Sequence, residues 1–509
     1  MRRGTRQVRG PTCPSEPALP VPQPCHRHRC RRMPPAAPDR ARPRRRGRHP
    51  APRRAPSAPA ERRRPACGTA RPDARHSMGL PPAPNQFHSR GNRGRPHSPN
   101  PHEEIGMTMI SGVPDHTRIR HLPDPDAMRR AALDRSISEL SPIVFSSLPR
   151  ADQRRKGMMY LRGLLGATGR KSIRNIASFL GDQVNDQGLH HFINDSTWEW
   201  APMRETLGRY LVHHLPLQAC VLQLMVIPKS GSHSVGVART FSWERGQAVT
   251  AQQVIGVWGV SARTASPLNW WIHIPPEGTR GASRDDQSPT VPEATGPATP
   301  EDSMVGAYLE TVSRLHLPRC PVTLNAERLD AIRISSRLSA AGLNHIARIS
   351  GDTWLLPDDP ALPGWGESPL QASQIAHLAK AGRRRVAVFP TGTHGSMELV
   401  ATVRVRLPTV LDSAHRGRGC SEFLLLAVGR GGSRWPEELW LTDVRTADPA
   451  ALLRLVGHSR RVESRGMPRA ERVGIRDFVG RSYAGWHRHA TLASVAHAAT
   501  ELAERRLVA

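Results

Sequence analysis

Ala219-Cys220-Val221-Leu222-Gln223-Leu224-Met225-Val226-Ile227 is an almost continuous apolar run, interrupted only by Gln223. A run of this kind reads as a buried strand, covered on both faces. Around it the text alternates. Further strands are expected at 234–241, 253–260 and 268–274, and a Pro, Gly and Ser-rich loop or linker at 276–302. A helix at 303–315, a strand at 320–324, a helix at 327–341 and a strand at 343–349 follow. Short strands at 384–389, 398–405, 421–428 and 438–442 come next, then helices at 448–463 and 487–507. In the last helix Leu492, Val495, Ala499 and Leu502 form one stripe. This order predicts an α/β domain with a mixed sheet, in two parts (218–350 and 446–509), with a separate β-rich module inserted at 351–445.

Upstream, residues 128–217 read as a small all-helical unit. Helical patterns run over 127–140, 149–165, 172–180 and 189–193, and a fifth helix, capped by Asn194, Asp195 or Ser196, extends to His214. Arg154, Arg155, Lys156, Arg170, Lys171 and Arg174 fall on polar faces. Such a unit can place a helix in a DNA groove, or those cations can form an ordinary solvated face.

The 509 residues carry a formal net charge of +30, which makes a polyanion, nucleic acid first, the expected partner. Residues 1–100 hold roughly 24 of the 73 Lys and Arg and about 4 of the 43 Asp and Glu. With almost no aliphatic residues to offset the entropy of ordering, residues 1–125 are expected to be disordered. The segment reads either as a basic arm for DNA phosphates or as text upstream of the true start, with Met78, Met107 and Met109 as later starts. Within it, Cys25-His26-Arg27-His28-Arg29-Cys30 matches no four-ligand zinc spacing. Cys220, Cys320 and Cys420 read as isolated core residues. No apolar run approaches the ~18 residues of a spanning helix, and no secretory signal is legible. The default location is a reducing cytoplasm, at the nucleoid.

Four segments carry a resemblance. The first is Val226-Ile227-Pro228-Lys229-Ser230-Gly231 with Ser234-Val235-Gly236-Val237; the second is Pro321-Val322-Thr323-Leu324-Asn325-Ala326-Glu327. The third is Arg461-Val462-Glu463. The fourth and longest is Val473-Gly474-Ile475-Arg476-Asp477-Phe478-Val479-Gly480-Arg481-Ser482 with Gly485-Trp486-His487-Arg488-His489. Together they resemble a bacterial insertion-sequence transposase of the DDE type, with an RNase H-like catalytic domain, over roughly residues 130–505. The resemblance implies double-stranded DNA with transposon terminal repeats as partner, a homodimer on that DNA, and Mg²⁺ or Mn²⁺ as cofactor. In such a site three carboxylates converge on two dications that activate the nucleophile and stabilise the leaving oxygen. It implies DNA contacts at Lys156, Arg170, Lys171, Lys229, Arg461, Arg481, His487, Arg488 and His489. For the last three, packing is the alternative.

The chain departs from that pattern at the acids. Gln223 or Leu224 stands where the first Asp belongs, Asn325 where the second does, and only Glu463 keeps its carboxylate as the catalytic and metal-binding residue. Neutral amides are poor ligands for hard dications, so metal retention and turnover are expected to suffer. Ser459 and Ala470 stand where basic residues are usual. Glu327 and Asp330 read as solvated helix residues. Trp198 and Trp200 are expected to pack one unit on another, Trp270 to be core and Trp271 rim. Gly429-Arg430-Gly431-Gly432 is a turn, without the Lys and Ser or Thr of a phosphate loop. The expectation is thus DNA transposition by a catalytically impaired transposase-like protein, or a non-catalytic DNA-binding regulator derived from one.

Overall fold

The computed structural model describes residues 124–181, 184–231, 233–242, 245–275, 298–362, 368–388, 396–408 and 422–508. The Arg-rich arm, the Cys25 to Cys30 segment, most of the 276–302 loop and Cys420 lie outside the described residues. Five helices come first: α1 (Pro125–Phe145), α2 (Ala151–Gly166), α3 (Ile173–Leu180), α4 (Asp186–Asn194) and α5 (Trp200–His214). Then follow β1 (Ala219–Pro228), β2 (Val237–Ser242), β3 (Gln247–Val260), β4 (Ala265–Ile272), α6 (Pro300–Leu315), β5 (Val322–Asn325), α7 (Ala331–Ala340) and β6 (His345–Ile349). The next stretch contains β7 (Trp354–Pro357), β8 (Leu370–Gln371), α8 (Ala372–Leu378), β9 (Arg384–Val388), β10 (Ser396–Arg406), β11 (Glu422–Gly429) and β12 (Glu438–Thr442). The chain closes with α9 (Pro449–Arg461), α10 (Met467–Arg472) and α11 (Tyr483–Val508).

Short polar side chains start several helices by accepting an otherwise unpaired backbone N–H. Ser172 caps α3, Asn185 caps α4, Thr299 caps α6 and Asp330 caps α7. The expected side-chain cap of α5 is absent, since its N-cap is Glu199, which makes no such bond. Asp330 is therefore a capping residue, and α7 begins after it, four residues later than the periodicity predicts.

The sheet runs β2-β3-β1-β5-β6-β12-β11-β10-β7-β8, with β4 also on β3 and β9 on β10. β1 is antiparallel to β3 and parallel to β5, and β5 is parallel to β6. A β4-β3-β1 antiparallel meander joined to parallel β5 and β6 is the RNase H-like arrangement. The expected separate β module is not separate. β12 pairs antiparallel with β6, placing Trp440 opposite Arg348, and β11 and β10 continue the same sheet. Without β12, β6 would present an edge of unpaired backbone groups.

Because side chains alternate across a strand, register assigns the faces. Val221, Trp258, Thr323 and Ile346 share one face, and Leu222, Leu324 and Ala347 the other. On the first face, Leu452, Leu453 and Val456 of α9 pack with Ile346, Leu426, Val400 and Trp440. Helices α6 and α7 pack against the sheet as well. Cys220 and Cys320 are not isolated from each other: their sulfurs lie 3.4 Å apart.

α11 is buried far beyond the expected stripe. It lies between α1, α2, α4 and α5 on one side and β4 on another, and Ala490, Ala493, Ala496, Ala498 and Ala499 are all buried. Small side chains let neighbours approach from every direction, so a helix of middling hydropathy becomes a core helix. The indole N–H of Trp270 donates to Ser494 Oγ at 2.8 Å, tying β4 to it. One consequence is testable at Gly256, which pairs with Gln223 on β1 and with Trp270 on β4. A Cβ there would stand 2.7 Å from Trp270 and 2.8 Å from Trp258 Nε1. Both rings are fully buried, so Gly256→Ala is expected to cost about 1–3 kcal/mol by overpacking, read as a lower urea midpoint. An unchanged midpoint would mean that the rings move freely.

Candidate active site

The site forms midway along β1, where β5 ends beside it and the chain leaves α9. Register pairs Leu222 with Leu324. One residue further on each parallel strand, Gln223 and Asn325 therefore lie side by side on the face that α9 covers. Asn325 pairs in turn with Arg348 on β6. A π-type turn at Val462–Gly466 follows α9 and delivers Glu463. Asn325 Nδ2 donates to Glu463 Oε1 at 3.3 Å, and Asn325 Oδ1 accepts the Glu327 N–H at 3.1 Å. Gln223 donates to the carbonyl of Leu224 at 3.2 Å, while its Oε1 is buried without a hydrogen-bond partner. The three positions named from sequence thus belong to one end of the sheet, with Asn325 and Glu463 in direct contact.

Burial pushes the Glu463 carboxyl above its ordinary range, against the Asn325 hydrogen bond and the Arg348 charge; Glu438 and Glu327 push it further up. Glu327 is not a solvated helix residue. It sits in the turn before α7 with Oε1 3.2 Å from Arg348 Nε. Arg348 also lies 3.8 Å from Glu438. Glu438 accepts from Arg460 of α9 at 2.8 Å, and Arg460 donates to Glu398 at 2.7 Å. Burial raises Glu438, but the Arg460 hydrogen bonds and charge, the Trp440 indole and Arg348 outweigh it and hold the carboxylate below its usual range.

Arg348, Glu438, Arg460 and Glu398 were not among the residues expected in the site. The signal available was a lone Arg in the otherwise apolar strand around Ile346 and Ile349, and a Glu opening β12. Their convergence depends on β12 docking beside β6, which strand patterns do not reveal.

The residues expected at DNA are divided by burial. Arg170 and Arg481 are exposed, and Lys156 is half-buried on α2. Lys229 donates to the carbonyl of Phe478 at 2.8 Å, and burial, with the nearby Arg170 charge, brings its ammonium down to about 8. Lys171 is buried, its ammonium on the carbonyl of Ala167 and its N–H on Asp477 at 2.8 Å. Asp477 also faces Arg170 at 4.0 Å, so the 473–482 segment fastens the helical unit's 167–172 loop beside the end of β1. Arg461 donates to the carbonyl of Ser261 at 3.0 Å. His487, Arg488 and His489 are interior residues, which corrects the reading as phosphate contacts in favour of packing. Arg488 binds the carbonyls of Trp198, Ile193 and Asn194 at 3.0–3.1 Å. His489 Nε2 faces the carbonyl of Gly474 at 2.8 Å and must donate to it, leaving Nδ1 to accept from the Tyr160 hydroxyl at 2.8 Å. Trp200 stacks on His487 of α11, packing one unit on another as expected, whereas Trp198 stacks on Phe192 within the helical unit. Ser459 and Ala470 are buried, so these two positions offer nothing to DNA.

Residues 144–385 match the family described as DDE superfamily endonuclease. The chain carries a DDE-type, transposase-like domain. The match takes in α2 to α5 together with the strands bearing Gln223 and Asn325, and stops short of Glu463. No curated protein matches the chain. DDE endonucleases act on DNA and use divalent metal. In this DDE domain the donor set does not fit a pair of dications. Two of the three converging positions are neutral amides, the remaining carboxylate is shifted toward its protonated form, and a guanidinium stands on the adjoining strand. Among the described residues no cluster of three His, Cys, Asp or Glu could hold a metal ion. Among them, too, no helix is long and apolar enough to cross a membrane.

Proposed function

We propose that this protein is an insertion-sequence transposase derivative that binds the terminal repeats of a transposon as a homodimer at the nucleoid and is impaired in cutting and joining strands. The observation that carries the reading is the contact between Asn325 and Glu463. It puts an amide against the one surviving carboxylate, in a domain whose relatives depend on acids there. Mg²⁺ or Mn²⁺ would serve in active relatives, and the donor chemistry here argues against its retention. A strand-cleavage and transfer assay with Mn²⁺ tests the impairment: no product is expected, and product abolished by Glu463→Ala would overturn it.

DNA binding is supported by the exposed cations Arg170 and Arg481, with Lys229 between the helical unit and the end of β1. Arg170→Ala with Arg481→Ala is expected to weaken binding of all duplexes alike and to reduce the slope of log affinity against log salt by about 2. A mobility-shift titration at several salt concentrations measures it. An unaltered slope would remove these residues from the interface. The same missing acids suit a second reading, a regulator that competes for transposon ends without processing them. Flanking inverted repeats bound selectively in the shift assay favour the transposase derivative.

A further inference from the structure

We infer that Arg348 is the resident cation of the DDE pocket: its guanidinium neutralises the carboxylates gathered at the end of the sheet, so that the native site takes up no divalent ion. The inference rests on the reading of this pocket as a former dication site, and adds what now fills its electrostatic role.

Geometry supports it from several directions. Arg348 is the partner of Asn325 in the β5–β6 register, so both side chains leave the same face of the sheet. Its Nε lies 3.2 Å from Glu327 Oε1, just past β5, and its Nη1 3.8 Å from Glu438 Oε1 on β12. Asn325, its neighbour, holds Glu463. Two carboxylates from separate segments thus flank one guanidinium, with Glu463 held beside it through Asn325, and the Arg348 side chain is only 21% exposed. A forked planar cation can face carboxylates on two sides at once, which a compact ammonium cannot. Arg460 draws Glu438 and Glu398 together from the α9 side. A dication entering here would meet a fixed positive charge at close range and carboxylates already paired.

The test is Mn²⁺ uptake by the full chain, followed by electron paramagnetic resonance of the free ion, with cleavage measured in parallel. The native protein is expected to bind none at the site. Arg348→Gln frees Glu327 beside Glu463, while Glu438 stays with Arg460, and should bind Mn²⁺ at least tenfold more tightly, a gain reversed by adding Glu463→Gln. Arg348→Lys should gain nothing. Native uptake that Glu463→Gln abolishes, or a folded Arg348→Gln protein that gains no binding, overturns the inference. Should Arg348→Gln fail to fold, Gln223→Asp with Asn325→Asp decides. With Arg348 kept, these restored acids should still take up no Mn²⁺, and uptake would refute the guanidinium as occupant. Native uptake without cleavage defeats the inference alone, whereas Mn²⁺-dependent cleavage lost in Glu463→Ala defeats the impaired-transposase reading itself.

Discussion

Arg204→Met is expected to lower stability by about 3 kcal/mol or more, because it leaves buried acceptors unpaired where three elements meet. Arg204 lies on α5 and is nearly inaccessible. Its guanidinium donates to Asn269 Oδ1 at 3.0 Å, to the Trp270 carbonyl at 2.9 Å, to the His487 carbonyl at 3.0 Å and to Thr491 Oγ1 at 2.9 Å. Its face stacks on Trp200 at 4.5 Å. Burial brings its pKa down to about 9, against Tyr483 and Glu310, which raise it. The helical unit, β4 and α11 are joined through this one side chain, so the loss should also blunt any activity that needs the helices held against the DDE sheet. Urea melts of the native and Arg204→Met proteins provide the measurement. Arg204→Lys should rescue little, since one ammonium cannot reach a forked set of acceptors. A loss below about 1 kcal/mol would show that the acceptors find other partners.

Mild acid should be nearly as damaging. His458, His487, His489 and His497 are buried, and burial drives each imidazole toward its neutral form. His458 and His489 are pushed down to about 4 and His497 to about 3, and His487, beside Arg204, well below its ordinary value. In the unfolded chain all four titrate near ~6.5. Above that pH both states are neutral at these positions and the histidines add no pH dependence. As pH falls below it, the unfolded chain binds protons that the native chain refuses, so stability drops until the folded values are reached. The slope is on the order of 1.4 kcal/mol per pH unit for each histidine in that window. Glu438 and Asp443, held low in the fold, lose their contribution only at the lower pH where unfolded carboxylates protonate. Urea midpoints at pH 7, 6 and 5 should fall steeply, and His497→Gln should flatten the fall by about one proton. A level midpoint between pH 7 and pH 5 would mean the imidazoles are charged inside.

Much of the fold was readable in advance because it is written in local periodicity. The run around Val221 and Leu222 announced a strand covered on both faces, and helices α2, α3 and α5 followed from apolar residues at helical spacing. Glu463, Asn325 and Gln223 were legible as site positions because each falls in a segment with its own signature, and the amides themselves announced the loss of acids. The stripe expected of α11 understates its burial, which arises from Ala and Gly packing on several sides and leaves no single stripe. His487, Arg488 and His489 looked like ligands for phosphate because charge and ring type suggest it. In the fold Arg488 and His489 meet backbone carbonyls and the Tyr160 hydroxyl, and His487 Nδ1 faces Arg204.

The composition of the pocket is legible along the chain: two amides and one acid, borne on two strands and a helix end, in a DDE domain. Its charge is settled only by assembly of the sheet. Whether Glu327 and Glu438 confront a metal, water or a guanidinium depends on β12 pairing beside β6 and on Arg348 projecting to the same face as Asn325. Hydrogen-bond register between strands distant in the chain sets that arrangement, and register is a property of the assembled sheet rather than of any one segment.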